Sequence, residues 1–417
     1  MNENLPDNER RTYFGSLQTY VNRDTLEEIR HLDLGPDEQI QLVQSLLTPQ
    51  QQYYLRVNLT KCSKEDLIQR WREKNVDVLD VPAFPETIGI RVASKPPPPL
   101  ARSVVYAYKF AAESVLTGAH LYVPGVGPNS HVRAGVLVEI RDWERKIHVA
   151  SGRTRMNLRN PPHQTGIAVE NLYSPYKIWG FHESEEYKAG LVDDQSLPPV
   201  AVGHVVMSGY SKGLKILDIC AAPGGKTTSI AQIGKLSTGD WPEIMAIDRS
   251  SSRLRHLEEK AARLGVSGIR SLRLKLEHVH VQHPEWKESY DLVLLDPPCS
   301  ALGTRPKIYI DTPARYYHDF AANQFRLLQH AWELVKPGGI LVYSTCTITK
   351  AENEDNVVRM LETFNAELVP IKLPHGIGHG ALPHECLSKD DAKKLCRFWP
   401  HLDDCIGYFI AKFQRPS

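Results

Sequence analysis

From about residue 213 to the end of the chain, short apolar runs alternate with longer amphipathic stretches, and this alternation constrains the fold more than any other feature. The runs are KILDIC (215–220), EIMAID (243–248), IRSLRL (269–274), DLVLLD (291–296) and GILVYST (339–345). Helical patterns fill the gaps at Lys226–Ile233, Ser251–Leu264 and Ala314–Leu334. Strands that alternate with helices join through right-handed crossovers into a parallel sheet covered on both faces. The expected fold class is therefore α/β, with a doubly wound, Rossmann-like core. A further helix from Glu352 to Phe364, followed by ELVPI and IGYFIAKF, predicts a closing antiparallel pair.

In a doubly wound sheet, ligands bind beyond the carboxyl ends of the strands. The first strand runs into Cys220-Ala221-Ala222-Pro223-Gly224-Gly225-Lys226 and then opens a helix. Small residues let the backbone approach a ligand, and a helix N-terminus offers oriented N–H groups. Gly225-Lys226-Thr227 mimics the end of a phosphate loop, but that motif needs a glycine where Cys220 stands. No G-x-G-x-x-G is present, so a dinucleotide fingerprint also fails. A nucleoside ligand without a pyrophosphate remains. Asp248, ending the second strand, is placed to accept hydrogen bonds from ribose hydroxyls, and it also suits the start of the helix near Ser251. S-adenosylmethionine carries a ribose, an adenine, a carboxylate and a sulfonium but no phosphate, and it fits this pair of features.

Asp296-Pro297-Pro298-Cys299-Ser300 follows the fourth strand, and Tyr343-Ser344-Thr345-Cys346-Thr347 follows the fifth. If those strands are neighbours, ~4.8 Å apart, both thiols converge above the ligand crevice. A single cysteine is more often a buried apolar filler. Two at adjacent strand ends, opposite a ligand loop, favour chemistry. Neither has a second cysteine or histidine at metal-ligand spacing within its motif, so no metal is expected. Thiols suit one reaction in particular. C5 of cytosine is a poor nucleophile toward a sulfonium methyl, but a thiolate adding at C6 makes the ring an enamine and loads electron density onto C5. Asp296 is placed to protonate N3 or bind N4, or else it is a turn acceptor before Pro297. The residues alone leave open which cysteine attacks.

The rest of the 417 residues is organised around Pro96–Pro99, a run that reads as a stiff extended spacer. Before it, Asp24–Ile29 and Pro36–Leu47 read as helices and Tyr53–Asn58 as a strand. A helix running through Lys74 is opened by Ser63 as N-cap, with Asp66 near its third position. After it, residues 100 to about 178 are short strands punctuated by glycines, which predicts a small β-rich domain. Within it, Arg141, Arg145, Lys146, Arg153, Arg155 and Arg159 outnumber Asp142 and Glu144, with Trp143 and His148 interleaved. That is either a solvated face or a phosphate-contacting surface. With 50 basic against 49 acidic residues, the net charge of +1 supplies no global nucleic-acid field, so any such surface is local. No apolar run approaches the ~20 residues that span a bilayer. The N-terminal MNENLPDNERR does not read as a secretory signal, and seven cysteines is an odd number for a disulfide scaffold. Reduced thiols, a cytoplasmic location and no membrane partner are expected, and with no heptad pattern a monomer is the simplest expectation.

The motifs DICAAPGGKTT, AID, DPPCSALG and YSTCTITKAENEDNV, in that order, resemble the Sun-domain RNA cytosine-5 methyltransferases over roughly residues 200–415. The resemblance implies an S-adenosylmethionine-dependent methyltransferase that makes 5-methylcytosine in RNA. It implies that Cys220, Ala221, Ala222, Pro223, Gly224, Gly225 and Lys226 bind the cofactor and that Asp248 and Asp296 contact cofactor or base. It further implies that Cys346 is the nucleophile at C6 and that Cys299 assists release of the methylated RNA. Lys275 stands where that family usually has an acidic residue near the adenine, with Glu277 two residues on. Ala301 follows Ser300 where the family often has glycine. VLTGAHLYVPGV (115–126) resembles a PUA domain, and the combination resembles the tRNA-methylating branch, which implies tRNA near its acceptor end as partner. The implied division is 1–99 as an N-terminal α+β segment like an RNA-recognition domain, 100–178 as the PUA-like domain, 179–212 as a connecting segment and 213–417 as the methyltransferase domain.

One competing reading is an RNA-binding protein with a degenerate, non-catalytic methyltransferase fold, favoured by Lys275 and the neutral charge. A weaker one is a methyltransferase for protein or small molecules, which leaves Cys346 without a role. Cys62, Cys386, Cys396 and Cys405 read as structural thiols. The spacing of Cys386 and Cys396 with His375, His379, His384 and His401 matches no zinc signature. Arg305 and Lys307 suit either phosphate contact or a solvated loop, and Glu352–Asp355 reads as a charged first helical turn.

Overall fold

Alternate residues of each central strand face opposite sides of the sheet, and both sides are dry. Leu217, Ile219, Val293 and Leu295 pack under Phe325, Leu328, Trp332, Val357 and Met360. Ile216, Leu292 and Leu294 point the other way, onto Val200, Val206, Ile230 and Ala231. Burying side chains of this size contributes about 1.5–3 kcal/mol each. The computed structural model describes residues 19–159 and 165–417. MNENLPDNERR, the first part of the expected 1–99 segment, and residues 160–164 of the region expected to be PUA-like lie outside the described residues.

From edge to edge the large sheet runs Ile269–Arg273, Ile244–Asp248, Ile216–Ile219, Tyr290–Leu295, Val335–Thr345, Tyr408–Gln414 and Glu367–Leu368, with Cys396–Phe398 also paired to Tyr408–Gln414. The first five are parallel. The last strands run antiparallel, as the closing pair predicts. Chain order reverses beside Ile216–Ile219, which makes the crevice there the natural ligand site. The helix expected at 226–233 continues to Thr238 and stops at Gly239, whose φ is +79°. The helix expected from Glu352 begins at Glu354, because the Glu352 and Asn353 side chains are engaged below the sheet rim.

The N-terminal strand is Gln52–Val57, and Ser63 caps the helix Lys64–Glu73 by accepting from the Asp66 N–H at 3.1 Å. Residues 179–212, expected as a connector, do more than connect. Val192–Asp194 completes a four-stranded antiparallel sheet with Gln52–Val57, Thr87–Arg91 and Val78–Asp80. Helix Leu197–Met207 then packs against the large sheet. Its sequence, apolar on every side, signals that burial. Ser103–Ala107, Leu121–Tyr122, Leu137–Asp142, His148–Thr154 and Ile167–Tyr173 form a five-stranded sheet around Val105, Ala112, Val138, Val149 and Val169. Its two connections to the rest of the chain pair with each other, Ala93–Ser94 against Tyr176–Lys177. The large-sheet domain holds this module through the loop at 304–311. Tyr309 is buried in the module's core and donates to Glu144 at 2.8 Å, and Lys109 pairs with Asp311 at 3.0 Å.

Candidate active site

The first strand ends in a sharp turn. Cys220 and Gly224 take left-handed φ values of 62° and 96°, and a Cβ on Gly224 would lie 2.7 Å from Leu257 Cγ, so only glycine fits there. Asp218, buried beneath the turn, accepts from Thr227 Oγ1 at 2.6 Å, and burial pushes its carboxyl up to about 7. Burial, with Asp248, Asp296 and Asp218 nearby, pushes the Cys220 thiol up to about 12. Cys220 is therefore a neutral wall, not a nucleophile.

Asp296 is the hub of the site. Lys226 Nζ lies 2.6 Å from its Oδ2, while Ser344 Oγ and Tyr408 Oη donate to Oδ1 at 2.8 and 3.0 Å. Burial opposes the Lys226 charge, but Asp296 and Tyr408 outweigh it and hold the ammonium protonated. Burial holds Tyr408 protonated as well, so it stays a donor.

The two cysteines converge because Tyr290–Leu295 and Val335–Thr345 are parallel neighbours, with Leu295 opposite Tyr343. Their sulfurs are 3.3 Å apart. The hydrogen bond from Cys299, together with the cations of Lys226 and Lys307, holds the Cys346 thiol below its ordinary value against burial and Asp296. The same contact, burial and Glu352 push Cys299 well up, so the shared proton rests on Cys299. Glu352 locks both loops. Fully buried, it accepts from Ser300 N at 2.9 Å, Ser300 Oγ at 2.5 Å, Thr349 at 3.0 Å, Thr347 at 3.2 Å and Gln324 at 2.8 Å.

Two cavities meet at Cys220, Ala222, Pro223 and Asp296. One, of about 460 Å³, is lined by Ile247, Asp248, Leu274, Leu276 and Leu327 and reaches Cys299 and Cys346. The other, of about 490 Å³, runs past Lys226 toward Tyr53, Asp194 and Gln195. The first fits S-adenosylmethionine. An apolar slot suits the adenine, and Asp248, 3% exposed, presents a carboxylate at the ribose end, where its Oδ1 already accepts from Ser250 N. The cap of the following helix is Ser250, not Asp248. Lys275 and Glu277 both line this cavity, so its wall carries a carboxylate two residues beyond the usual place.

Comparison with known proteins agrees with this geometry. Residues 209–414 match the family described as 16S rRNA methyltransferase RsmB/F. The chain is 34% identical over 391 residues to a tRNA (cytosine(72)-C(5))-methyltransferase of Pyrococcus horikoshii, covering 91% of this chain and 94% of that protein. The chain belongs to the RsmB/F family of RNA cytosine-C5 methyltransferases. It is also 30% identical to the human tRNA (cytosine(72)-C(5))-methyltransferase NSUN6, covering 72% of this chain and 73% of that one. The crystal structure of NSun6 from Pyrococcus horikoshii with SFG superposes with a TM-score of 0.82 at 32% identity, over 96% of this chain and 100% of that one. The cofactor of this RsmB/F-family enzyme is S-adenosylmethionine.

Within this RsmB/F-family enzyme, Cys220, Ala222, Pro223, Asp248, Asp296, Cys299 and Cys346 line the first cavity, whereas Ala221, Gly225 and Lys226 face the second and Gly224 packs on Leu257. Arg305 is no phosphate contact: it donates to the Thr48, Pro49 and Pro400 carbonyls and pairs with Asp404. Glu352 is no surface turn, and Glu354 is buried against Arg397. The 141–159 surplus is partly spent internally, Arg141 on Glu139, Arg155 on Glu170 and Arg145 over Tyr309. His379, His384 and His401 pair with Asp403, Asp355 and Glu38. Among the described residues, the donor set close enough to hold a metal is His280, His330 and Glu333. Sequence reasoning missed Tyr408, Ser344, Gln324 and the role of Glu352. The polar run in TITKAENEDN was the only available signal for the last of these.

Proposed function

We propose that this methyltransferase acts on cytosine 72 of tRNA, that Cys346 is its nucleophile and that Cys299 assists release. The observation that carries the reading is the 3.3 Å contact of the two sulfurs at the rim of the cofactor cavity, beside Asp296. Cys346, held toward the thiolate, attacks C6 of the cytosine. Asp296 binds the ring at N3 or N4 and offsets the charge that addition creates, while Lys226 and Tyr408 fix its orientation. Bound S-adenosylmethionine supplies the electrophilic methyl group. C5 takes that methyl as its bond to the cofactor's sulfur breaks, and the C5 proton then leaves to solvent. The C6–sulfur bond then breaks and the aromatic C5–C6 double bond returns. The cofactor is held in the first cavity by Cys220, Ala222 and Pro223 of the turn and by Asp248.

A third cavity, of about 560 Å³, shares Gln50, Tyr53, Thr304 and Arg305 with the second and reaches Phe110 and Gly118 of the small β module. Phe110, 81% exposed, offers a stacking face for a splayed base. A single-stranded acceptor end lying along this path, held by a PUA-like domain at 100–178 and an RNA-recognition-like N-terminal segment, brings nucleotide 72 to Asp296. The names of the relatives support tRNA and position 72. All seven cysteines are free, which suits a reducing cytoplasm, and among the described residues no helix is long and apolar enough to cross a membrane. The chain acts as a monomer. The test is bisulfite sequencing of tRNA methylated in vitro, with 5-fluorocytosine at position 72 as a trap. Methylation at 72 and an adduct lost in Cys346→Ala are expected; an adduct that survives in Cys346→Ala overturns the assignment.

A further inference from the structure

Gln195 lies between the end of strand Val192–Asp194 and Ser196, the N-cap of helix Leu197–Met207. It is 5% exposed, yet both its Oε1 and its Nε2 lack a hydrogen-bond partner. Buried amide groups are almost always paired, so an amide orphaned at both ends needs an explanation. Its neighbours leave it no rival role. Asp193 is taken by Lys260 and Arg263, and Asp194 accepts from Tyr53 Oη at 2.7 Å. Gln195 lines the cavity that also holds Lys226, Asp296 and Cys220. Gln50, on the same wall, has an orphaned Oε1 as well. By contrast, none of the unpartnered buried side-chain atoms among the described residues belongs to a residue lining the cofactor cavity.

We infer that Gln195 is a substrate-contacting residue: its amide completes its hydrogen bonds on the polar edge of the target cytosine. This rests on the proposed function above. The chemistry matches, since cytosine presents an amino donor and ring acceptors side by side and a carboxamide offers one of each. In the free enzyme the orphaned amide destabilises the fold, and the base repays that deficit on binding. Stability is thus exchanged for recognition, a pattern found at functional sites.

The experiment measures four quantities on the full-length wild type, Gln195→Leu and Gln195→Met: melting temperature, S-adenosylmethionine affinity, and kcat and KM on tRNA. The expected result is a melting temperature equal to or above wild type, unchanged cofactor affinity, and kcat/KM lower by about tenfold to a hundredfold. Activity within twofold of wild type overturns the inference. So does a fall in activity accompanied by a matching fall in melting temperature, the mark of a structural role. Met, close to Gln in length, keeps the test intact if Leu packs poorly. Wild-type enzyme that fails to methylate tRNA sinks the underlying reading instead, so the two failures are distinguishable.

Discussion

The two cavities that meet at Asp296 are built differently. On the cofactor side, polar groups are already satisfied: Asp248 accepts from Ser250, and the cysteine loops hang on a fully bonded Glu352. On the other side, Gln195 and Gln50 face the cavity with atoms that no protein group completes. The first cavity is thus finished by folding, while the second, on the function proposed above, is finished by the RNA that enters it. A small ligand that returns at every turnover favours a rigid, preformed slot, whereas a macromolecule brings many groups of its own and can supply the missing bonds.

The sharpest way to break this contrast is Cys346→Ala, which removes a sulfur that lines the first cavity beside the shared Asp296. Methyl transfer should fall by at least about 10³-fold, as for other covalent nucleophiles, while cofactor affinity, read by calorimetry, stays unchanged. Loss of cofactor binding would mean the two sides are not separable.

Next in size is Asp218, which lines the second cavity. Burial raises its folded pKa to about 7, against ~3.9 for an unfolded aspartate. The folded state then holds more protons than the unfolded state between about pH 4 and pH 7. Stability must fall as pH rises through that window and level off above it, by up to about 4 kcal/mol at ~1.4 kcal/mol per unit. Urea melts across pH should show this slope in wild type and lose it in Asp218→Asn. A parallel slope in the variant would place the titrating group elsewhere.

Glu352→Ala should destabilise the fold by roughly 3 kcal/mol, because it strands several buried donors at once. It should also release both cysteine loops, so the pH at which activity rises should move up as Cys346 loses its held geometry. Stability equal to wild type in chemical denaturation would show that the loops do not depend on this carboxylate. The smallest effect is expected for Asp248→Ala. Loss of a charge-assisted hydrogen bond of about 1.5–3 kcal/mol weakens cofactor binding by about tenfold to a hundredfold. Affinity for tRNA should not change, and a drop there would blur the division between the cavities.

Local pattern alone determined the βα alternation, the turn from Cys220 to Lys226 and the placing of Asp248, Asp296, Cys299 and Cys346 at strand ends, because strand and helix periods and small-residue turns are short-range properties. Helix Ser251–Leu264 falls on its expected bounds for the same reason, a serine cap at one end and Gly265 at the other. Tertiary structure alone decided the rest. Glu352 reads as one more acid in a polar run until the strands bring Ser300, Thr347 and Gln324 around it. Arg305 reads as a loop cation until the Thr48, Pro49 and Pro400 carbonyls close on it. Val192–Asp194 reads as linker because its partner strand, Gln52–Val57, lies far back in the chain with a whole β module between them. Hydrogen-bond partners distant in sequence leave no periodic trace, so only the folded chain can assign them.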